Sequence, residues 1–154
     1  MITTLTQHEM FLRIIIALFL GVALGTERFV AHKTAGVRTY ALISMGSALF
    51  IIISLMTTTS QSFLDFHMAA QIISAAGFLG AGVILHRDDR TIGMTTASGL
   101  WVSAGIGIAC GFGLFYVAIL ATISTLFVFV VLWFIEEWVE KIGSKNNKAL
   151  PEEK

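Results

Sequence analysis

The chain has 154 residues, ten of them basic and ten acidic, so a formal net charge of zero points to no class of partner, and nucleic acid is not expected. With 56% hydrophobic and 13% charged residues and a mean hydropathy of +0.83, it has too little polar surface to cover a water-soluble globule of this size. Its one cysteine, Cys110, excludes an internal disulfide and most cysteine-based metal sites, and reads as a small packing residue.

Nine of the ten Lys and Arg residues fall into three clusters: Arg28, Lys33 and Arg38; Arg87 and Arg90; and Lys141, Lys145, Lys148 and Lys154. Between them, Thr39 to Leu64, Phe66 to His86 and Thr91 to Ile135 contain no Asp, Glu, Lys or Arg. A hydrocarbon core about 30 Å thick takes roughly 20 apolar residues of helix. The pattern therefore predicts an all-α polytopic membrane protein with five helices, at about 10 to 26, 37 to 57, 67 to 86, 95 to 112 and 114 to 135. Basic clusters on the cytoplasmic side give an outside N-terminus and an inside C-terminus. Residues 1 to 135 form the membrane domain and 136 to 154 a short charged cytoplasmic tail.

The first helix carries Arg13 near its outer end, where the side chain can snorkel to the interface. No basic segment precedes the helix and Glu27-Arg28 follows it in place of a cleavage site, so it is expected to act as its own insertion signal. The second helix ends at the small polar run Thr57 to Ser62, and the fourth at the tight-turn sequence Gly111-Phe-Gly113. The third contains Ser74-Ala-Ala-Gly-Phe-Leu-Gly-Ala-Gly82, and the fourth has Gly99, Ser103, Gly107 and Gly111 at four-residue spacing. In lipid, close approach of helices depends on small residues. Gly77, Gly80, Gly82, Gly99, Ser103 and Gly107 thus mark helix packing or a groove for a partner helix. The fifth helix, with Phe127, Phe129 and Leu132, reads as facing lipid or an oligomer partner, and Trp133 and Trp138 as an interfacial belt.

The two halves share a pattern. Phe19-Leu-Gly21 precedes Thr34-Ala-Gly-Val-Arg-Thr39, and Phe78-Leu-Gly80 precedes Thr91-Ile-Gly-Met-Thr-Thr96. This predicts a parallel repeat of helices 1-2 and 3-4. Two equivalent loops result, holding Glu27, Arg28, Lys33 and Arg38 in one and His86, Arg87, Asp88, Asp89 and Arg90 in the other. Thr39, Thr95 and Thr96 stand at the helix starts as N-caps. A helix N-terminus beside Arg38 or Arg90 favours an anion such as phosphate or a lipid headgroup. Glu27, Asp88 and Asp89 are the carboxylates that would hold Mg²⁺ if any do; otherwise no cofactor is expected. Glu27, close to hydrocarbon, needs a partner, with Arg38 the expected one if the role is structural. There is no P-loop, H-E-x-x-H or G-x-S-x-G, and the loops are too short for a catalytic domain, so no enzymatic activity is expected.

The segments Gly21-Val-Ala-Leu-Gly-Thr-Glu-Arg28, Ala35-Gly-Val-Arg-Thr39, Gly77-Phe-Leu-Gly-Ala-Gly-Val-Ile84, Gly93-Met-Thr-Thr-Ala97 and Trp101-Val-Ser-Ala-Gly-Ile-Gly107 together resemble the MgtC/SapB family of bacterial inner-membrane proteins. The resemblance runs from about Gly21 to Thr125 and implies five spans with cytoplasmic basic loops. Long members carry a further soluble C-terminal domain, and the present sequence reads as the short form. Those members also have Asn where this chain has Thr95. The resemblance implies a multi-pass inner-membrane protein that regulates other membrane machinery under magnesium, phosphate or acid stress. Membrane lipids, other inner-membrane proteins and further copies of the chain are its expected partners. Two alternatives stay open: a Mg²⁺ or small-anion transporter or channel, and a scaffold that binds anionic lipid.

Overall fold

The computed structural model describes residues 5–57, 65–87 and 90–147. Its elements are α1 (Gln7–Val30), α2 (Val37–Thr57), α3 (Asp65–Ala81), an antiparallel pair β1 (Leu85–Arg87) and β2 (Arg90–Ile92), α4 (Met94–Gly111), α5 (Phe115–Phe127), a π-helical turn (Val128–Leu132) and α6 (Trp133–Asn147). Among the described residues, three stretches are long and apolar enough to cross a membrane: Gln7–Val30, Val37–Thr57 and Phe115–Val139. The apolar α3 is shorter, at 17 residues. Large hydrophobic side chains such as Phe19, Phe50, Phe78 and Tyr116 lie exposed around the perimeter, as suits a protein whose solvent is lipid.

Helix α4 is the inner helix, packed by α1, α2, α3 and α5. Its Gly99, Ser103, Gly107 and Gly111 face α2, where Tyr40, Ser44, Ala48 and Ile51 continue at matching spacing. A Cβ on Gly111 would meet Ile51 at 2.6 Å, and one on Gly107 would strike the Ser44 carbonyl. That series is taken up by packing on α2. Hydroxyls tie the same helices together: Ser44 donates to the Ala17 carbonyl at 2.8 Å, Ser103 to the Tyr40 carbonyl at 3.0 Å, and Tyr40 to the Thr96 carbonyl at 3.3 Å. Interhelical bonds of this kind contribute on average about 0.6 kcal/mol each in lipid. On α3, a Cβ on Gly80 would meet the Ala97 carbonyl at 3.3 Å, one on Gly82 only the Leu79 carbonyl, and one on Gly77 nothing within 4 Å.

Several expected boundaries move. Helix α1 is longer than the expected 10 to 26, because Thr6 and Glu9 form a reciprocal capping box that starts it a turn early. Helix α3 stops at Ala81 instead of continuing to 86, and the chain turns through Gly82 into the β-hairpin, which puts His86 on a strand. There His86 Nδ1 lies 3.1 Å from the Thr91 hydroxyl. Residues 136 to 147, expected as tail, continue the last helix. The threonines do not cap. Gly36 and Gly93 hold the N-cap positions, and their carbonyls accept from Tyr40 N–H (3.2 Å) and Ala97 N–H (2.9 Å). Gly93 does so at φ 92, a left-handed conformation that threonine would resist. Arg13 does not snorkel: its Nη1 donates to the Gly111 carbonyl at 2.6 Å and closes the C-terminus of α4.

Candidate functional site

At the end opposite Arg13, α1 finishes in a reverse turn in which His32 N–H donates to Phe29 O (3.1 Å) and Lys33 N–H to Arg28 O (3.0 Å). This is the Schellman arrangement, normally completed by glycine, yet here His32 takes the left-handed position at φ 54. The turn fixes Glu27, Arg28 and Lys33 at the mouth of the bundle. Arg28 is only 3% exposed. Glu27 accepts from its Nε and, at 2.6 Å, from its Nη2, so a fork-shaped pair forms between neighbours in sequence. Burial of a guanidinium demands such a partner, and Arg28 supplies the one that Arg38 was expected to give. Arg38 is exposed at the start of α2.

Above the pair lies Phe129, whose ring centre is 3.7 Å from the guanidinium carbon. The π-helical turn sets this contact. Such turns change the phase of a helix and are frequent at functional sites. Phe129 is 5% exposed, so it faces neither lipid nor an oligomer partner. On each side of the Arg28–Phe129 contact opens a cleft, one of about 600 Å³ toward the start of α4 and one of about 720 Å³ toward His32 and Phe134. Lys33 and Trp133 border both.

The predicted residues thus divide. Glu27, Arg28, Lys33, Thr95 and Thr96 come together around the clefts, with Thr96 buried and Thr95 exposed. Thr39 and Arg38 are exposed on α2 and line neither cleft. Register pairs Arg87 with Arg90 across the hairpin, while Asp88 and Asp89 lie outside the described residues. Among the described residues no group of three His, Cys, Asp or Glu side chains could hold a metal ion, and Glu27 is already engaged by Arg28. Sequence reasoning named neither Tyr40 nor Glu136 for the site and turned Phe129 toward lipid or an oligomer partner. In a charge-free span nothing distinguishes a phenylalanine that covers a cation from one that faces lipid. The earlier signal was Arg28 itself, a cation too near hydrocarbon to lie uncovered.

Over residues 14–138 the chain matches the model of the MgtC family. It is 47% identical over 115 residues to Protein MgtC of Salmonella typhimurium strain LT2, covering 75% of this chain and 48% of that protein. It is 40% identical over 129 residues to the protein named "Putative magnesium transporter YhiD" of Escherichia coli K12, covering 80% of this chain and 60% of that protein. An uncharacterized protein of Haemophilus influenzae is 36% identical over 144 residues, 88% of this chain and 60% of its own length. The chain therefore spans about half to three fifths of the length of these relatives. No solved structure matches it. The family match over most of the chain, the relatives and the apolar exterior agree: the chain is a membrane protein and belongs to the MgtC family.

Proposed function

We propose that the chain is a non-enzymatic, five-span inner-membrane protein that regulates other membrane machinery under magnesium, phosphate or acid stress, with its N-terminus outside and the Glu27–Arg28 end in the cytoplasm. What carries this reading is the bundle interior. Between Arg28 at one end and Arg13 at the other, the core is closed by Ala17, Leu24, Tyr40, Leu100, Ile106 and Cys110. A transporter normally places charged groups near mid-membrane, and among the described residues that core holds no Asp, Glu, Lys, Arg or His. The clefts at the Arg28 end are instead suited to sensing, and the open face of α3 at Gly77 and the exposed aromatic side chains of α5 to contacts with other membrane proteins or further copies of the chain.

The repeat of α1-α2 and α3-α4 is part of the proposal. Gly21 and Gly80 each face the backbone carbonyl that follows the motif's last threonine, that of Tyr40 and that of Ala97. Both outgoing helices also begin on a glycine N-cap.

Transport of Mg²⁺ or a small anion is the second reading, favoured by the name of the Escherichia coli relative. Flux of Mg²⁺ and of phosphate in proteoliposomes, from protein shown to be folded and inserted, separates the two. The expected result is no saturable flux. Saturable flux that disappears in Glu27→Gln would make the chain a transporter.

A further inference from the structure

The cleft of about 600 Å³ between α4 and the π-helical turn is built from three chemically different walls. The first is cationic. Helix α4 begins on Gly93, which has no side chain to cap it, and its first turn holds no acidic residue. The N–H groups of Met94, Thr95 and Thr96 precede the first hydrogen bond of the helix, from Ala97 to the Gly93 carbonyl. An uncapped helix start favours an anion. Arg28, 3% exposed, also lines this cleft, with Nε and Nη2 of its guanidinium taken by Glu27. Lys33 adds a second cation.

The second wall has the opposite preference. It carries the Glu136 carboxylate and the Trp133 indole, a pair that attracts an ammonium group by charge and by its aromatic face. The third is apolar, formed by Val102, Val128 and Leu132. A simple anion would leave Glu136 facing a like charge, and a simple cation would meet Lys33, the cation of the lining that Glu27 does not neutralise. A molecule that carries phosphate and ammonium a few atoms apart, with a hydrocarbon tail, satisfies all three walls. The volume is in the range of small-molecule sites, roughly 300 to 1,000 Å³.

We propose that this cleft binds one phospholipid with a zwitterionic phosphoethanolamine headgroup, its phosphate on Arg28, Lys33 and the start of α4, its ammonium on Glu136 and Trp133, and the beginning of one acyl chain along Val102, Val128 and Leu132. The lipid bridges the α1–α4 end of the bundle to the helix that carries Phe129. The proposal rests on the regulator reading only for placing the cleft in the cytoplasmic leaflet; flux and lipid retention are measured separately, so either can fail without the other.

The test is native mass spectrometry of the full chain released from nanodiscs of phosphatidylethanolamine, phosphatidylglycerol and phosphatidylcholine mixed in equal parts, with and without inorganic phosphate. The expected result is one retained phosphatidylethanolamine per chain, unaffected by millimolar phosphate. Lys33→Ala and Glu136→Gln should each lower that retention about tenfold, and Glu136→Gln should shift the residual preference toward phosphatidylglycerol. Glu137→Gln, whose carboxylate is bound instead to Lys141 at 2.9 Å, should leave retention unchanged. All three positions are at the bundle surface, and unchanged melting temperatures will show that the variants fold. Preference for phosphatidylglycerol in the unmodified protein would overturn the proposal in favour of an anion-only site. Displacement by inorganic phosphate would overturn it in favour of a free-phosphate site. Equal retention in Glu136→Gln and the unmodified protein would reduce the lipid to unspecific annular contact.

Discussion

The Arg28 guanidinium lies 3.7 Å from the centre of the Phe129 ring, so one turn of π-helix beyond α5 roofs a partly buried ion pair on α1. Removing one partner of a buried pair typically costs about 3–5 kcal/mol, whereas a cation–π contact is worth roughly 0.5–2 kcal/mol. Glu27→Gln and Arg28→Met should therefore each lower the thermal unfolding midpoint in detergent far more than Phe129→Leu does. The double variant Glu27→Leu/Arg28→Met removes both charges and should recover most of the lost stability while leaving the site without its chemistry. Midpoints of the double variant as low as those of the single variants would mean that the pair does not act as a unit.

Glycines on α4 separate into packed and open positions, which allows a paired test on one helix. A Cβ on Gly107 would run into the Ser44 carbonyl and the Ser47 side chain, but one on Gly105 meets nothing within 4 Å. Overpacking of this kind costs about 1–3 kcal/mol, and relief of glycine's backbone freedom gains roughly 0.5–1 kcal/mol. Gly107→Ala should destabilise and Gly105→Ala should be neutral or stabilising, as read from unfolding in a denaturing detergent. A similar loss in both would argue that α4 does not pack on α2 along this stripe.

Charge punctuation makes the helices of the bundle legible in the sequence. Arg28 lies near the end of the first helix, Arg87 and Arg90 lie on the hairpin between the third and fourth, and the second helix runs from 37 to 57 as expected. What stayed hidden depends on contacts distant in sequence. Arg13 looked like a snorkelling residue because nothing within its own helix announces the Gly111 carbonyl 98 positions away. The β-hairpin was hidden for another reason: Leu85-His-Arg87 is only three residues long and carries no strand periodicity. At the site, Glu27 and Arg28 stood out by charge, while Phe129 did not, since the π-helical turn that aims it has no sequence mark.

The two glycine N-caps make different demands. Gly93 sits at φ 92 and a Cβ there would also strike the Val83 carbonyl, whereas one on Gly36 would make ordinary contacts with Phe29 at 3.7 Å. A left-handed non-glycine residue costs about 1–2 kcal/mol before any clash. Gly93→Ala should lower the unfolding midpoint clearly and loosen the start of α4, visible as faster amide hydrogen exchange at Thr95 and Thr96. Gly36→Ala should do neither. Equal exchange in the two variants would mean that the start of α4 is not held by the glycine.

At the far end of the bundle, Arg13 supplies what the C-terminus of α4 otherwise lacks. The last carbonyls of a helix have no intrahelical donor, and Gly113 at φ 79 leaves room for the guanidinium, since a Cβ there would meet Arg13 Nη2 at 3.0 Å. A hydrogen bond from a charged group contributes roughly 1.5–3 kcal/mol. If Arg13 merely reached for the interface, Arg13→Leu would fit the apolar helix better and raise stability. The observed cap predicts the opposite: Arg13→Leu should destabilise by about that amount, and Arg13→Lys by less, because an ammonium can still reach one carbonyl but lacks the planar fork. Gly113→Ala should displace the guanidinium and also carry the left-handed backbone cost of about 1–2 kcal/mol, so combining it with Arg13→Leu should cost less than the sum of the two single variants. Full additivity in that double-mutant cycle would show that the two positions do not share one contact.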